Sequence, residues 1–190
     1  MKQVAQTIMT EEELHRLVEQ VVQRTLGSPE PTPQPSAGRQ NVVAVGSDHR
    51  GLELKELVKK TVAELGYQVH DCGAYSPESV DYPDIAEAVG SMVASGQAIM
   101  GIVIDGAGIG SAVAANKIPG VRAALCYNQA TAANAREHND TNVLALGSGM
   151  LGSALALQIT RTWLETPFAG GRHAKRVDKI RQIEQRYSHR

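Results

Sequence analysis

Three short segments of the chain carry most of the side chains that could do chemistry. Residues 46–51 have the sequence GSDHRG, residues 105–110 have DGAGIG, and residues 136–142 have REHNDTN. Carboxylates and imidazoles are common proton carriers in enzymes, and glycines let backbone amides come close to an anion. Together the three segments indicate acid–base chemistry on a small anionic ligand.

Each of these features also has an ordinary structural interpretation. DGAGIG alone is a weak signal, because it lacks the Lys-Ser/Thr of a nucleotide P-loop and the acidic residue that a dinucleotide fold needs about twenty positions later. Asp48 could cap a helix that begins near Gly51, and His138 could satisfy a helix C-terminus. Arg172 and Arg176 lie one helical turn apart and could either grip one phosphate or simply be solvated. The residues alone leave these alternatives open.

The two cysteines predict neither a metal site nor a disulfide. Cys72 and Cys126 show no metal-binding spacing and lie beside or within apolar strand patterns. Packed, free thiols in a reducing cytoplasm are the expected state. We therefore predict no metal and no cofactor.

Alternating strands and helices must position the three segments. Their pattern predicts an α/β fold, a Rossmann-like three-layer α/β/α sandwich with a five-stranded parallel sheet. Because ligands of such sheets bind at the carboxyl ends of the strands, we expect all three segments to open on one edge. The predicted strands cover 42–45, 67–71, 100–104, 121–125 and 143–146, and helices cover 54–65, 83–95, a segment ending at 115, 128–137, 150–164 and 174–187.

The N-terminal part of the chain has a different pattern. Residues 1–27 predict a separate amphipathic helix, with a capping box at Thr10 and Glu13 and an apolar stripe from Leu14 to Leu26. Residues 28–41 contain four prolines and predict an extended linker. The remaining residues, 42–190, form the predicted enzyme domain.

Composition narrows the classes of partner. The 190-residue chain has a formal net charge of −1, which gives no electrostatic footprint for nucleic acid or a membrane surface. Its apolar runs are too short to span a bilayer, and no secretory signal is evident. We expect no nucleic acid, no membrane, and a cytoplasmic location.

Five motifs in order give the domain a family resemblance. GSDHRG is followed by DYPD at 81–84, then by the glycine-rich loop and AANK at 114–117, then by REHNDTNVLALGS at 136–148 and GGRHAKRV at 170–177. From about Val42 to Ser188 the chain resembles the ribose-5-phosphate isomerase B and galactose-6-phosphate isomerase family. The resemblance implies a metal-independent sugar-phosphate isomerase that interconverts ribose 5-phosphate and ribulose 5-phosphate through an enediolate. It also implies a homodimer with shared active sites, or a tetramer built from such dimers.

The resemblance also implies roles for individual residues. Asp48 and His49 would contact the substrate, with Asp48 among the catalytic residues, and Tyr82 would line the site. His138 would open the furanose ring with help from Asn139. The phosphate would be held by two arginines of the partner subunit, and the enediolate by loop amides acting as an oxyanion hole. The arginines are Arg172 and Arg176, and the amides are those of Gly106, Ala107, Gly108, Ile109 and Gly110.

Four positions depart from the family pattern. Asp105 stands where the family often has a cysteine base, and Ile109 where another branch has a glutamate base. Ala107 replaces a hydroxyl or amide side chain, and Gly149 replaces an arginine that helps to bind phosphate. We predict that Asp105 is the base, provided that burial raises its pKa above the ordinary value of about 3.9. The alternatives are isomerisation of a hexose 6-phosphate or deoxy sugar, and a noncatalytic sugar-phosphate-binding protein.

The N-terminal helix and its linker resemble the encapsulation peptides that attach enzymes to bacterial microcompartments. Such a peptide buries its apolar stripe against a shell protein or another copy of itself. We therefore expect residues 10–26 to bind a shell protein and to place the enzyme in the compartment lumen. A helix that only dimerises or stays unattached is the alternative.

Overall fold

A five-stranded parallel sheet is the centre of the domain. The computed structural model describes residues 41–188, so the predicted helix within 1–27 and linker residues 28–40 lie outside the described residues. The strand order is β2-β1-β3-β5-β4, and every neighbouring pair is parallel. The strands are β1 (Val42–Ser47), β2 (Gln68–Asp71), β3 (Met100–Asp105), β4 (Ala123–Leu125) and β5 (Val143–Gly147).

Helices separate and follow the strands. They are α1 (Leu52–Glu64), α2 (Tyr82–Ala94), α3 (Ile109–Ala115), α4 (Gln129–Asn139), α5 (Ser153–Glu165) and α6 (Arg172–Tyr187). The predicted α/β class and five-stranded parallel sheet are confirmed, with bounds that differ by a few residues from the sequence pattern. None of the described helices is long and apolar enough to cross a membrane.

Alternate residues of the strands point to opposite faces of the sheet and belong to two separate hydrophobic cores. One core packs Ile102, Ile104 and their strand neighbours against α1, α4 and α5, and its largest buried side chain is Trp163. The other core packs Ala44, Val103 and their neighbours against α2 and α3. Burial of the sheet on both faces explains why the central strands β1, β3 and β5 are buried along their whole length, whereas the edge strand β2 alternates in exposure.

Two adjacent strands lead to helices on opposite faces of the sheet. β1 is followed by α1 on one face, whereas β3, its neighbour, is followed by α3 on the other. The loops after β1 and β3 therefore diverge and leave a crevice at the carboxyl ends of these strands. A switch point of this kind is the usual ligand site of open parallel sheets.

A buried lysine fixes the segment that leads from β2 towards α2. Lys55 is 1% exposed, and its Nζ donates to Asp71 Oδ1 at 2.7 Å and to the Ala74 carbonyl at 2.6 Å. Lys59 Nζ donates to the other oxygen of Asp71 at 2.6 Å. Burial alone would raise the pKa of Asp71, but hydrogen bonds from the two lysines outweigh it and hold that pKa below its ordinary value. The chain that leaves β2 is thus attached to α1.

Candidate active site

Hydrogen bonds tie together the three loops at the carboxyl edge of the sheet. The amide of Asp48, after β1, donates to the Ile104 carbonyl of β3 at 3.0 Å. Ser148, after β5, donates its amide to the Asp105 carbonyl at 2.8 Å and directs its hydroxyl to the Arg50 carbonyl at 3.2 Å. The loops therefore act as one unit around the crevice.

The crevice contains a cavity of about 390 Å³. This volume suits a small ligand, since small-molecule pockets usually measure roughly 300–1,000 Å³. The wall contains two carboxylates, one guanidinium, one phenol and the glycine-rich loop. The lining residues are Asp48, Arg50, Tyr82, Asp105, Gly106, Ala107, Gly110, Gly149 and Met150.

Asp48 uses one carboxylate oxygen for structure and leaves the other free. Its Oδ1 accepts from the amides of Arg50 at 2.9 Å and Gly51 at 3.0 Å, just before α1 begins. These bonds form a turn before the helix, but Gly51 is the N-cap residue and no side chain caps this helix, so the alternative that Asp48 is the cap is wrong. Within the described residues, Oδ2 has no hydrogen-bond partner. Asp48 is only 6% exposed, and its free oxygen is available as an acceptor at the cavity.

Asp105 has a different environment from the one expected of a base. Its Oδ1 accepts from the amides of Ala107 at 2.7 Å and Gly108, and its Oδ2 accepts from the amide of Ser111 at 2.8 Å. Burial raises the pKa of Asp105, but hydrogen bonding from Ser111 and the loop amides outweighs burial and leaves the pKa lowered. The expectation that burial leaves this pKa above its ordinary value is therefore wrong, because the loop folds around the carboxylate and stabilises its charge.

The same hydrogen bonds divide the predicted oxyanion hole. The amides of Ala107 and Gly108 serve Asp105 and are not available to a ligand while they do so. Across the described part of the chain, the amides of Gly106, Ile109 and Gly110 donate to no protein acceptor. Ile109 and Gly110 begin α3, where the helix dipole adds to the pull on an anion. Three of the five predicted amides thus remain available.

Two glycines are required where the loop passes β5. Gly108 has φ +79°, and a Cβ there would lie 2.9 Å from the Leu146 carbonyl carbon. At Gly147 a Cβ would lie 2.5 Å from the Ala107 carbonyl oxygen. The close approach of the two backbones is what brings the loop over the end of the sheet.

Tyr82 and His49 occupy the rim. The Tyr82 ring lies over Gly110, where a Cβ would be 2.5 Å from Cε2, so the ring covers the start of α3. His49 Nδ1 accepts from the Val80 amide at 3.4 Å. Tyr82 lines the cavity as predicted, whereas His49 is held against the segment that precedes α2 and is not among the lining residues.

The remaining predicted site residues form a second cluster. His138 and His173 stack with ring centroids 4.1 Å apart, and the Asn134 amide contacts His138 Nδ1 at 2.8 Å. Arg172 Nε donates to His173 Nε2 at 3.4 Å. Burial, His138 and then the charges of Arg172 and Arg176 lower the pKa of His173. Two imidazoles, two guanidiniums and the adjacent Asn139 are therefore grouped together.

This second cluster lies at the opposite edge of the sheet from the cavity. His138 ends α4, which runs back to the start of β5, and the Asn142 carbonyl accepts from Gly101 near the beginning of β3. Asp105, in contrast, pairs with Gly147 at the end of β5. The two edges are about 15 Å apart, the length of five strand residues. The expectation that all three segments open on one edge is therefore wrong for residues 136–142.

The backbone around His138 explains its fixed position. Asp140 takes a left-handed conformation with φ 46° and ends α4, and its carboxylate binds Arg122 and Arg136. The Ala169 amide donates to the Glu137 carbonyl at 3.0 Å and brings the start of α6 beside the end of α4. This contact places the arginines of α6 next to His138.

Neither cysteine belongs to the cavity. Burial raises the pKa of Cys72 and that of Cys126 each to about 11, so both remain thiols at neutral pH. Both are packed, as the sequence predicts. In the part of the chain that the structure describes, no group of three or more His, Cys, Asp or Glu side chains could hold a metal ion.

Arg50 and Met150 are the lining residues to which the sequence analysis gives no role, and Arg50 is the charged one. It lies within the GSDHRG motif, directly after the Asp-His pair. A cation two positions after the Asp48 carboxylate, at a strand end, is the signal in the sequence. A strand end alone, however, does not tell whether the guanidinium turns towards the glycine-rich loop or into solvent.

Comparisons with known proteins agree on one family. A model of the ribose/galactose isomerase family matches residues 43–180. Ribose-5-phosphate isomerase B of Escherichia coli (strain K12) is 45% identical over 144 residues, covering 76% of this chain and 97% of that protein. The Clostridium thermocellum ribose-5-phosphate isomerase B structure shares 50% identity with a TM-score of 0.75, covering 77% of this chain and 99% of that one. The Mycoplasma genitalium enzyme, solved with bound ribulose 5-phosphate, is 38% identical with a TM-score of 0.73, covering 76% and 96%.

The ionised Asp105 carboxylate should stabilise the fold in a pH-dependent manner. Its folded pKa lies below the ordinary value of 3.8, so the contribution is present above that value and is lost as the pH falls through the folded pKa. At about pH 7, Asp105→Asn should lower the free energy of unfolding by roughly 1–3 kcal/mol, because the charged acceptor is lost.

Urea denaturation of both proteins between about pH 7 and about pH 3 measures this difference. The gap between wild type and Asp105→Asn should narrow at the acid end. The exposed Glu87 of α2, changed to Gln, is the matched control and should show little difference at either pH. A gap that stays constant across this range would contradict the assigned hydrogen bonds.

Proposed function

Because the chain belongs to the ribose/galactose isomerase family, we propose that it interconverts ribose 5-phosphate and ribulose 5-phosphate. The observation that carries the proposal is the cavity at the switch point, where the Asp48 carboxylate faces a glycine-rich loop with free amides. The similarity to ribose-5-phosphate isomerase B proteins supports the choice of substrate.

The reaction needs a base near C2 of the open-chain sugar and donors near the two oxygens. The base takes the C2 proton, electrons move into an enediolate, and the proton returns to C1 while the oxygens exchange a proton. The free amides of Gly106, Ile109 and Gly110 are suited to the negative charge that develops on oxygen. No metal or cofactor is required for these steps.

The two carboxylates are not equivalent as bases. Asp105, the base predicted from the sequence, has both oxygens occupied by amides and a lowered pKa. Asp48 keeps Oδ2 without a partner in the described residues. We therefore assign proton transfer at carbon to Asp48, with Asp105 as the carboxylate that holds the loop in shape. If Asp48→Asn stays active and Asp105→Asn loses activity, the base would be Asp105, as the sequence predicts.

Turnover of ribose 5-phosphate and the identity of the base can be tested in one assay. Ribose 5-phosphate in heavy water should give ribulose 5-phosphate, with deuterium at the carbon that exchanges, followed by NMR. Asp48→Asn should lower kcat by about 10²–10⁴-fold, as expected when a general base is removed. A folded wild-type protein that forms no product and exchanges no deuterium would overturn the proposal, and other sugar phosphates would then be tested in the same assay.

We also propose that a second copy of the chain completes each site. His138, Asn139, Arg172 and Arg176 lie about one strand length from Asp48 of the same chain, too far to share one pentose phosphate. A groove of about 580 Å³ runs along the edge strand β4 and α4 and includes Asn134 and Asn139, beside His138. A symmetric dimer that packs on this groove would bring the second cluster of each chain to the cavity of the other. His138 would then open the ring, and the two arginines would hold the phosphate.

Mixed dimers test whether sites are shared. Asp48→Asn and His138→Ala should each be inactive alone. When the two variants are co-expressed, about half of the dimers contain one copy of each, and one of the two sites in such a dimer is intact. The mixture should therefore recover about a quarter of the wild-type activity. Co-expression of His138→Ala with Arg172→Ala should restore nothing, because both changes fall in the same cluster. Absence of recovery in the first mixture, from confirmed heterodimers, would contradict shared sites.

The N-terminal segment supports a further proposal, based on its sequence pattern alone. We propose that residues 10–26 bind a microcompartment shell protein and that the enzyme works in the compartment lumen within the cytoplasm. Burial of five or six aliphatic side chains at roughly 1.5 kcal/mol or more each would support a weak, multivalent attachment.

A fusion of residues 1–40 to a fluorescent reporter tests the attachment. It should co-assemble with shell proteins, and a Val18→Glu/Val22→Glu fusion should not, because charge would enter the apolar stripe. Equal distribution of the two fusions would contradict shell binding through this stripe.

A further inference from the structure

Arg50 is the cation of the cavity. Of the lining residues, all within the described part of the chain, it is the only lysine or arginine. It shares the wall with the carboxylates of Asp48 and Asp105. If the cavity contained only the two carboxylates and no cation, it would repel an anionic sugar phosphate. The position of the Arg50 side chain therefore decides which end of the ligand the cavity accepts.

The backbone of Arg50 is held on both sides. Its amide donates to Asp48 Oδ1 at 2.9 Å, and its carbonyl accepts from Ser148 Oγ at 3.2 Å. These contacts join the loops after β1 and β5. The start of the side chain is thus fixed by two loops, even though the residue as a whole is exposed.

The guanidinium lies against the glycine-rich loop. A Cβ at Gly106 would be 3.1 Å from both Cζ and Nη1 of Arg50, and 3.3 Å from Nε. A Cβ at Gly149 would be 3.7 Å from Nη2. The absence of a side chain at Gly106 leaves room for the guanidinium beside the loop, whereas a Cβ at Gly149 would be in ordinary van der Waals contact with Nη2.

The guanidinium is not used by the protein itself. Among the described residues, none accepts a hydrogen bond or forms an ion pair with it, whereas Arg122 and Arg136 are both paired with Asp140. The five N–H donors of Arg50 therefore face an open cavity with no acceptor of their own.

We propose that Arg50 binds the phosphate of the substrate and selects phosphorylated over neutral sugars. The proposal rests on the function proposed above and names a residue for one part of it. A phosphate carries its charge throughout the reaction and presents several oxygens in the fork geometry that a guanidinium matches. The enediolate oxygen, in contrast, is charged only transiently and is suited to the loop amides. Arg172 and Arg176 of the second copy would complete the phosphate site from the other side.

Three variants test this role. Arg50→Gln should raise KM for ribose 5-phosphate at least about tenfold, because a charged hydrogen bond is lost, with a much smaller change in kcat. Arg50→Lys should recover part of the loss, since it retains the charge without the fork. Lys60→Gln removes one positive charge from the exposed face of α1 and is the matched control, with wild-type KM.

Calorimetric titration with ribose 5-phosphate and with unphosphorylated ribose separates binding from turnover. Arg50→Gln should weaken binding of the phosphorylated sugar by the same factor as KM and leave ribose unaffected. Unchanged binding of ribose 5-phosphate overturns the proposal, as does a fall in kcat without weaker binding, which would place Arg50 at the enediolate. If the wild type binds ribose 5-phosphate without converting it, and Arg50→Gln loses that binding, the proposed isomerisation fails and the role of Arg50 stands.

Discussion

The direction of the strands governs where chemistry can occur in this fold. In an all-parallel sheet every strand ends at the same edge, and every helix returns the chain to the other edge. The loops after β1, β3 and β5 therefore meet, and hydrogen bonds from Asp48 and Ser148 join them. The end of α4 must lie at the far edge for the same reason. One chain thus carries two polar clusters that it cannot bring together.

At the loop edge, the Asp105 carboxylate acts as an internal anion. It accepts the amides of Ala107, Gly108 and Ser111, which would otherwise be unpaired at the start of α3. These bonds give the loop a fixed shape without a bound ligand. They also mean that a negative charge already lies where the helix dipole is most favourable, and a substrate anion must use the amides that remain. The hydrogen bonds that fix the shape of the loop therefore also lower the pKa of Asp105 and make it a weaker base.

The fold could be predicted from sequence because the apolar runs of β1, β3 and β5 and the helical spacing of α1 and α5 report burial directly. The edge occupied by His138 could also have been predicted from topology, since a helix end that precedes a strand lies at the start of that strand. The expectation that all three segments open on one edge did not take this into account. The pKa of Asp105 could not be predicted in this way. Its direction depends on the amide of Ser111, six residues later, which returns to the carboxylate only when α3 forms. The side-chain position of Arg50 depends likewise on contacts with two other loops.

Two departures from the family pattern, at Asp105 and Gly149, are physically connected to the position of Arg50. Asp105 adds a charge that stays negative at neutral pH because its pKa is lowered. Gly149 removes a side chain from the wall, and a Cβ at that position would lie 2.9 Å from the Gly106 carbonyl oxygen, so the loop could not approach β5 as closely. Arg50 supplies a positive charge from the neighbouring loop, with Nη2 3.7 Å from where that Cβ would be. The cation at this wall is therefore delivered from the loop after β1 instead of the loop after β5. The cavity therefore contains the positive charge of Arg50 beside the additional negative charge of Asp105. With the two arginines of a second copy, these charges would suit a phosphate ligand.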